Sequence, residues 1–434
     1  MQKLDDPCSS LGKPISIAAF FMPLFVYWCI FLAVSPTNEE SFTRICSYHG
    51  CFVAFFGAAV PLDLSFVNLR VLFGVVFFDR IIMFLNNFVP IGEPSVVVFA
   101  ARRWQRRCYR ILVVLFCLLS AVLYVYVCAE VVNGSQLLDL RNFLVSFFLG
   151  AWVDALLFAI HALLKSRHIR GSSTALAKHS GNIILDFYNG SEIRPIICGL
   201  DIKVSSYFVS IIRGFTLQLV FAIYQYDEHA TLSFGLMTLL LFHGIYILDF
   251  FIYEPTILHA HDIVYYGCGL RWFQNVLLVW PLLQSLSVLY LVHNYYDVQL
   301  SCYSFSAAGA ILFILGLYIR RQAINQKFFY HDPQGHSFDS SNSLNATASQ
   351  NITAVGWWSC VRHPDYLGEL ILLLGLALTT GVGSVVPWIA PVCGFFDVLL
   401  RIHWDERTSL KRYDKTAWRK YTSAVPYRLI PRIY

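Results

Sequence analysis

The sequence predicts an all-α, polytopic membrane protein with about ten transmembrane helices. Of its 434 residues, 57% are hydrophobic and only 14% are charged, and the mean hydropathy is +0.58. Soluble domains contain about 25% charged residues. The apolar residues are also gathered in runs of about twenty, the length that crosses a bilayer core of about 30 Å as a helix. Composition and pattern therefore agree on a chain embedded in a membrane.

Ten apolar runs follow one another along the chain. They cover residues 15–36, 68–90, 109–129, 142–164, 205–225, 231–252, 273–293, 303–319, 369–382 and 385–400. The first is too long and too aromatic for a cleaved signal peptide, so we expect it to remain as the first span. The last two are joined by the short sequence TTGVGS and are expected to form a tight hairpin.

Basic residues indicate which loops face the cytosol. They cluster at 102–110, 165–170, 320–327 and 411–420, after the second, fourth, eighth and tenth runs. Because cytosolic loops are enriched in Lys and Arg, these loops and both termini are predicted to be cytosolic. A net charge of +5 is small for a nucleic-acid-binding protein, so no nucleic-acid partner is predicted.

The sequence lacks the motifs of common metal and nucleotide sites. Its twelve cysteines form no CxxC pair and no metal-ligand spacing, so no metal is predicted. There is no GxGxxG after a strand and no GxxxxGK[ST], so any nucleotide site must be of neither the Rossmann nor the P-loop kind.

Three cations near the predicted cytosolic face are candidates for binding phosphate. They are Lys327 after the eighth run, Arg362 before the ninth and Arg401 after the tenth. Arg401 and Asp405 are four residues apart and share a helix face, where they can pair or present a fork to a phosphate or ribose. The alternative for each cation is a side chain that reaches from the membrane edge into water.

Six groups of motifs occur along the chain: DFYNGSEIRP with LDIK, YILDFFIYEP with a following GCG, QAINQK, GWW, RHP and the ending VPYRLIPRIY. They resemble the motifs of the sterol reductase family, which includes sterol delta-14 reductases and the membrane half of lamin B receptors. The resemblance covers residues 101–434, with a cofactor-site region at 320–434. Residues 1–100 match only as membrane spans.

This resemblance implies NADPH as the cofactor and a cytosolic binding segment at the C-terminal end. The residues expected to form the site are Lys327, Trp358, Arg362, Asp365, Glu369, Arg401, Asp405, Tyr413 and Tyr421.

Four positions depart from the family pattern. His331 replaces a second basic residue, Asp365 an asparagine, Glu369 an aspartate and Trp404 an arginine. Two of these changes remove positive charge, so weaker cofactor affinity or a weaker preference for the 2′-phosphate is expected.

Reduction of a sterol double bond needs an acid to protonate one alkene carbon and a hydride to reach the other. Ionisable residues at the membrane are the natural acids, and Asp249, Glu254 and Asp262 fit this role because each lies at or just beyond the cytosolic end of the run at 231–252. The predicted catalytic residues are Glu254, Asp262, Tyr265 and Tyr266.

The two tyrosines stand where the family has a His-Asp pair before Gly-x-Gly. A free tyrosine has a pKa of about 10, so Tyr265 or Tyr266 needs help from Asp262 or Glu254 to act as an acid. Two alternatives remain: a carboxyl whose pKa is raised by burial donates the proton directly, or the tyrosines are interfacial anchors.

Further departures leave the substrate and the activity open. The family's Gly-Asp pair is Asn275 and Val276 here, and its Glu and Arg after LDIK are Tyr207 and Val209. Polar groups expected around a sterol are therefore missing, which favours either a changed substrate or a loss of catalysis.

Three functional hypotheses follow. The first is an NADPH-dependent reductase of a sterol-like lipid in the endoplasmic reticulum membrane or the nuclear envelope, with membrane lipid as its surroundings. The second is a catalytically silent scaffold of the lamin B receptor type, with protein partners that the sequence does not specify. The third is an enzyme similar to isoprenylcysteine carboxyl methyltransferases, which share RHP, Tyr366, Gly368 and Glu369. S-adenosylmethionine carries no phosphate and does not require three cations, so the reductase is favoured.

Overall fold

A computed structural model describes residues 69–88, 140–168, 182–193, 195–197, 200–253, 256, 262–263, 266–295, 302–331, 356–412 and 415–433. The predicted spans at 15–36 and 109–129 lie outside these residues.

The described residues are mainly helical. The helices are α1 (Leu69–Phe88), α2 (Leu140–His168), α3 (Ile183–Asn189), α4 (Ile202–His229), α5 (Phe234–Ile252), α6 (Leu270–Gln274), α7 (Trp280–His293), α8 (Cys302–His331), α9 (Pro364–Leu378), α10 (Ile389–Arg412) and α11 (Lys415–Ala424). A π-helical turn, Asn275–Val279, joins α6 to α7, and 3-10 turns form Gly356–Ser359 and Val386–Trp388. Strands β1 (Ile196–Ile197) and β2 (Leu200–Asp201) pair antiparallel.

Each of the eight predicted spans within the described residues coincides with a helix. The all-α, polytopic membrane class is therefore confirmed. Within the described residues, five segments are long and apolar enough to cross a membrane: Ser146–Leu164, Ile202–His229, Leu270–Val292, Tyr303–Lys327 and Val386–Arg407. The helices α8 and α10 run past the predicted span ends into charged sequence, because a helix continues through polar residues until a breaker ends it.

The chain is organised in two compact units. The first contains α1 to α4, α6, the π turn and α7, and the second contains α5 and α8 to α11.

In the first unit, α4 runs parallel to the α6–α7 segment. Two side chains of α4 donate to backbone oxygens of α7. Gln218 Nε2 donates to Gln284 O at 3.4 Å, and Gln225 Nε2 donates to Leu291 O at 3.0 Å. Both partners advance by seven residues, so the two helices point the same way. Hydrogen bonds of this kind join helices where apolar burial cannot, because lipid is as apolar as the helix surface.

Three glycines let two backbone segments of the first unit cross in direct contact. A Cβ on Gly267 would lie 2.3 Å from Asn189 O, and one on Gly269 would lie 2.3 Å from Gly190 N. Gly190 itself has φ +83°, a left-handed conformation suited to glycine. The glycines of the DFYNG and GCG segments thus serve this crossing.

In the second unit, α8 packs closely along α9. Gly309 and Gly316 of α8 face Gly375 and Gly368 of α9, and each glycine lies against backbone atoms of the other helix. Small residues allow such close approach between membrane helices. The rings of Phe242 and Phe313 stack at 4.5 Å and join α5 to the same helix α8.

The C-terminal hairpin forms a small core of its own. Tyr366 and Leu370 of α9 cluster with Val398 and Ile402 of α10, and the buried Leu429 of the chain end packs with them. The predicted hairpin is present, and it brings the start of α9 next to the charged end of α10.

Candidate functional site

The RHP turn holds the C-terminal segment by backbone hydrogen bonds. The amide of Arg362 donates to Tyr427 O at 2.9 Å, and that of His363 donates to Arg428 O at 3.0 Å. Pro364 then begins α9, where its missing N–H costs no helical hydrogen bond. The RHP and VPYR motifs are therefore parts of one structural joint.

The side chain of Arg362 serves the same joint. Its Nε donates to Val425 O at 3.0 Å, its Nη2 to Pro426 O at 2.7 Å and its Nη1 to Glu406 Oε1 at 2.5 Å. Glu406 also pairs with Arg428, at 3.0 Å. All three nitrogens of Arg362 are thus engaged by protein groups, which leaves fewer N–H donors for a phosphate.

The QK and GWW motifs meet at the end of α8. The Trp358 indole donates to Ala323 O at 3.0 Å, and the amide of Trp357 donates to Gln326 Oε1 at 3.1 Å. The Lys327 ammonium lies 5.3 Å from the centre of the Trp358 ring, within cation–π range. Tyr421 of α11 donates to Trp358 O at 3.3 Å. Three predicted cofactor residues, Lys327, Trp358 and Tyr421, are brought together here.

A second group of predicted residues lies at the first turn of α9. The Tyr366 hydroxyl donates to Asp405 Oδ2 of α10 at 2.7 Å. Burial raises the pKa of the neighbouring Asp365, and the positive charge of Lys327 opposes that rise. Glu369 follows one turn later and is half-buried. The first turns of α9 therefore carry three acidic or phenolic groups, and one of them, Asp365, interacts electrostatically with Lys327.

His363 contributes a buried nitrogen without a hydrogen-bond partner. Its ring stacks on Tyr366 with centroids 5.4 Å apart, and 9% of the residue is exposed. Its Nε2 has no partner among the described residues. Burial lowers the pKa of His363 to about 4, with the carboxylates of Asp405 and Glu406 opposing that change. The ring is therefore neutral at pH 7.

Stability is expected to fall on acidification because of His363. The unfolded chain takes up this proton below a pH of about 6.5, whereas the folded protein takes it up only below a pH of about 4. From pH 7 to pH 4.5 we expect this group to cost about 2–3 kcal/mol of unfolding free energy. Denaturation of purified wild type and His363→Gln in detergent at several pH values measures the difference. The same pH dependence in both proteins would contradict the assignment.

Arg401 links a predicted cofactor residue to a predicted catalytic one. Its Nη1 lies 2.7 Å from Asp262 Oδ2, and its Nε lies 2.7 Å from Asp397 Oδ2. Asp262 is buried, with 5% of the residue exposed. Asp397 is one helical turn before Arg401 on α10. The sequence predicted that Arg401 would pair with Asp405 or present a fork to a phosphate or ribose. In the structure the Arg401 guanidinium contacts Asp262 and Asp397. Asp405 accepts a hydrogen bond from Tyr366.

Asp249 is held in a separate ion pair. Arg321 of α8 grips it with two nitrogens, Nε at 2.9 Å from Oδ1 and Nη2 against Oδ2. The same guanidinium lies 4.1 Å from the Tyr253 ring centre and 3.4 Å from Thr256 Oγ1. Arg321 therefore joins α8 to the end of α5 and to Thr256.

The fourth predicted catalytic residue, Tyr266, lies in the first unit. Its backbone oxygen accepts from the fully buried ammonium of Lys203 at 2.6 Å. That ammonium also lies 4.6 Å from the Trp272 ring centre, and Tyr207 meets the same ring edge-on at 5.2 Å. Two departures from the family pattern, Tyr207 and Tyr266, therefore meet around Lys203 and Trp272. Glu254, Tyr265 and Tyr413 lie outside the described residues.

Asp397 and Lys203 were not among the site residues predicted from the sequence. Asp397 had a usable signal, since it precedes Arg401 by four residues on one helix face. Lys203 was noted only as part of the LDIK motif. Its burial beside Trp272 depends on the distant GCG segment, which pattern alone does not locate.

The family described as "Ergosterol biosynthesis ERG4/ERG24 family" matches residues 140–434. The chain belongs to this family. The predicted resemblance to sterol reductases is thereby confirmed, and the joint between RHP and VPYR lies within the matched region.

Three relatives are similar to this chain. "Delta(14)-sterol reductase TM7SF2" of Mus musculus is 27% identical over 308 residues, which are 69% of this chain and 72% of the relative. "Delta(14)-sterol reductase LBR" of Gallus gallus is 27% identical over 295 residues, 66% of this chain and 45% of the relative. "Delta(14)-sterol reductase erg24" of Schizosaccharomyces pombe is 32% identical over 265 residues, 59% of this chain and 60% of the relative.

Proposed function

We propose that this family member reduces a carbon–carbon double bond of a sterol, of the delta-14 type, with NADPH as the reductant. The observation that carries the proposal is the 2.7 Å ion pair between Arg401 and Asp262, a predicted cofactor residue and a predicted catalytic residue in contact. The names of the three relatives support the same reaction class. The site belongs to the endoplasmic reticulum membrane or the nuclear envelope, with its cations and both termini on the cytosolic side.

The residues around Lys327 suit a dinucleotide phosphate. Lys327 is exposed and lies beside the Trp358 ring, so a cation and an aromatic face are available together. The buried Nε2 of His363, without a partner among the described residues, offers one more polar contact. Asp405, Tyr413 and Tyr421 complete the set that would hold the cofactor, with Asp365 and Glu369 beside it. When bound, NADPH supplies the hydride.

Asp262 has the role of orienting a proton donor. Its Oδ2 lies 2.7 Å from Arg401 Nη1 and accepts from that cation, so this oxygen is already engaged. Its pairing with Arg401 therefore favours help to a tyrosine or to Glu254 over direct donation. The donor protonates one alkene carbon, and the other carbon, left positive, takes the hydride. The low-dielectric surroundings strengthen the effect of each charge on the donor.

The catalytic prediction concerns Asp262. Membranes containing the protein are expected to reduce a 14-ene sterol when NADPH is added, as measured by mass spectrometry of the product. Asp262→Asn and Glu254→Gln are each expected to slow this reduction by about 100-fold or more, the usual contribution of a general acid, while NADPH binding survives.

The matched control is Asp397→Asn, which removes the other carboxylate of Arg401 at the same 2.7 Å separation. Its activity should stay near that of the wild type. Wild-type protein that binds NADPH but leaves 14-ene, 7-ene and 24-ene sterols unchanged would replace this proposal with the scaffold hypothesis.

The cofactor prediction concerns Lys327 and Arg401. Replacing either by Ala is expected to weaken NADPH binding by about 1.5–3 kcal/mol, because each removes a hydrogen bond to a charged phosphate. Calorimetric titration of purified protein with NADPH, NADH and S-adenosylmethionine measures the change. Lys415→Ala, at an exposed position of α11, is the control and should bind normally. Unchanged NADPH affinity in the Lys327→Ala, Arg401→Ala double variant would show that both cations are membrane-edge anchors.

A further inference from the structure

The helix α11 carries a group of cations that the proposed reaction does not use. Lys415, Arg419 and Lys420 are all exposed on this helix, and we call them the basic face. Among the described residues, no carboxylate forms an ion pair with any of these three side chains. Glu406, the nearest described carboxylate along the chain, is already paired with two arginines. Three like charges therefore lie together on one helix without a described counter-charge.

The side of α11 that packs against the protein is a different one. Tyr421 is buried, and its hydroxyl donates to Trp358 O at 3.3 Å. Successive residues of an α-helix are rotated by about 100°, so each residue of the basic face lies at least about 100° around the helix from Tyr421. The basic face is thus turned away from Tyr421, and we expect it to take no part in binding the cofactor.

The same contact holds α11 near the end of a membrane span. The Trp358 indole donates to Ala323 O at 3.0 Å. Ala323 lies one turn before the end of Tyr303–Lys327, a segment long and apolar enough to cross a membrane. A helix with its side chains is about 10 Å across, so the basic face lies close to the level at which this apolar segment ends.

Charge and location together specify the partner. Residues 411–420 include five basic residues and one acidic residue, directly after the last apolar run. Basic clusters of about this size, placed next to the cytosolic end of a membrane helix, bind anionic lipids. The side predicted to be cytosolic is also the one whose leaflet contains these lipids. Trp418 of the same helix is half-buried, and tryptophan is enriched at the level of the headgroups.

We propose that the basic face of α11 binds the headgroups of anionic phospholipids in the leaflet beside it. The partner is a lipid of the same bilayer, held by the charge of its headgroup while its acyl chains remain in the bilayer. This binding requires neither NADPH nor a sterol, so it stands or falls separately from the proposed function.

Lipid binding to the purified protein in a neutral detergent tests the proposal. Energy transfer from tryptophan to dansyl-labelled phosphatidylserine or phosphatidylcholine measures the two affinities. Wild-type protein is expected to bind phosphatidylserine at least about 10-fold more tightly, because every cation near the anionic headgroup adds to the attraction. The neutral variant Lys415→Gln, Arg419→Gln, Lys420→Gln should lose about 10-fold or more of its affinity for phosphatidylserine and keep its affinity for phosphatidylcholine. Salt at about 1 M, where the Debye length is about 3 Å, should weaken the wild-type preference in the same way.

The charge-conserving variant Lys415→Arg, Arg419→Lys, Lys420→Arg is the matched control. It changes the same three positions but keeps all three charges, so it should retain the wild-type preference for phosphatidylserine. Gln, Lys and Arg have similar helix propensities, so α11 should form in both variants and their Tm should stay near that of wild type. Both variants should also bind NADPH as wild type does, because the basic face is turned away from Tyr421.

Two results would overturn the proposal. A neutral variant that keeps the wild-type preference for phosphatidylserine would show that other cations bind the lipid and leave the basic face to a soluble acidic partner. A neutral variant that loses NADPH affinity but keeps the lipid preference would place the cofactor phosphates on this face. By contrast, a lipid preference lost in the neutral variant, in a protein that reduces no sterol, would support this proposal and remove only the proposed function.

Discussion

Replacing Arg213 by methionine is expected to prevent stable folding of the first unit. Arg213 lies between two buried carboxylates: it pairs with Asp79 of α1 and lies 3.1 Å from Asp154 of α2. The three side chains are 2%, 3% and 0% exposed. Removing the cation leaves Asp79 without its positive partner in an apolar interior. Breaking a buried pair in this way costs about 3–5 kcal/mol, a large share of the 5–15 kcal/mol that typically stabilises a protein.

Two variants separate this effect from a general loss of packing. Arg80→Met removes the other cation of the cluster, which lies 2.7 Å from Asp154 but has 38% of its side chain exposed. The loss of stability in Arg80→Met should be smaller than in Arg213→Met, because Asp154 still pairs with Arg213. The double variant Arg213→Met, Asp79→Leu removes both charges of one pair and should regain much of the stability. Tm and the yield of monodisperse protein after detergent extraction measure all three. An Arg213→Met protein with the Tm of wild type would contradict this account.

The apolar runs were sufficient to predict the long apolar helices among the described residues. Apolar runs of membrane length have one stable arrangement in lipid, since every backbone N–H and C=O must be satisfied within the helix. The runs at 205–225 and 303–319 accordingly lie within α4 and α8. The π turn at Asn275–Val279 was not predictable in this way. It changes the backbone hydrogen-bond register without interrupting the apolar run.

The ion pairs could not be predicted from the sequence, because their partners lie far apart along the chain. Arg213 reads as one polar residue in an apolar run, and its carboxylate partners lie on two other helices. Likewise, nothing near Arg401 in the sequence indicates that Asp262 will meet it. Motif resemblance did predict that Lys327, Trp358 and Tyr421 belong to one site. In the structure the Lys327 ammonium lies beside the Trp358 ring, and the Tyr421 hydroxyl donates to the Trp358 backbone oxygen. Arg362 was predicted from its motif to bind the cofactor, but its guanidinium also donates to the backbone oxygen of Val425 near the C-terminus. The motif did not predict this structural contact.

The contact between α8 and α9 gives the second large effect. We expect Gly316→Ala to be severely destabilising, because a Cβ there would lie 2.4 Å from Leu372 N and 2.6 Å from Gly368 O. Both are backbone atoms, so no side-chain rotation relieves the clash and the helices must separate. Overpacking a well-packed core costs typically about 1–3 kcal/mol, and we expect the upper end or more here. Separation would also pull Lys327 and Trp358 away from α9, so NADPH binding should weaken together with stability.

Gly244→Ala is the matched control, since it makes the same chemical change on a neighbouring helix. A Cβ at Gly244 of α5 would meet no atom within 4 Å. Alanine favours an interior helical position over glycine by about 1 kcal/mol, so this variant should unfold at an equal or higher temperature than wild type. Thermal unfolding of both variants in one detergent, followed by NADPH titration, compares them directly. If Gly316→Ala behaved like Gly244→Ala, the two helices would not pack with their backbones in contact, and the glycines would have no role in holding Lys327 near α9.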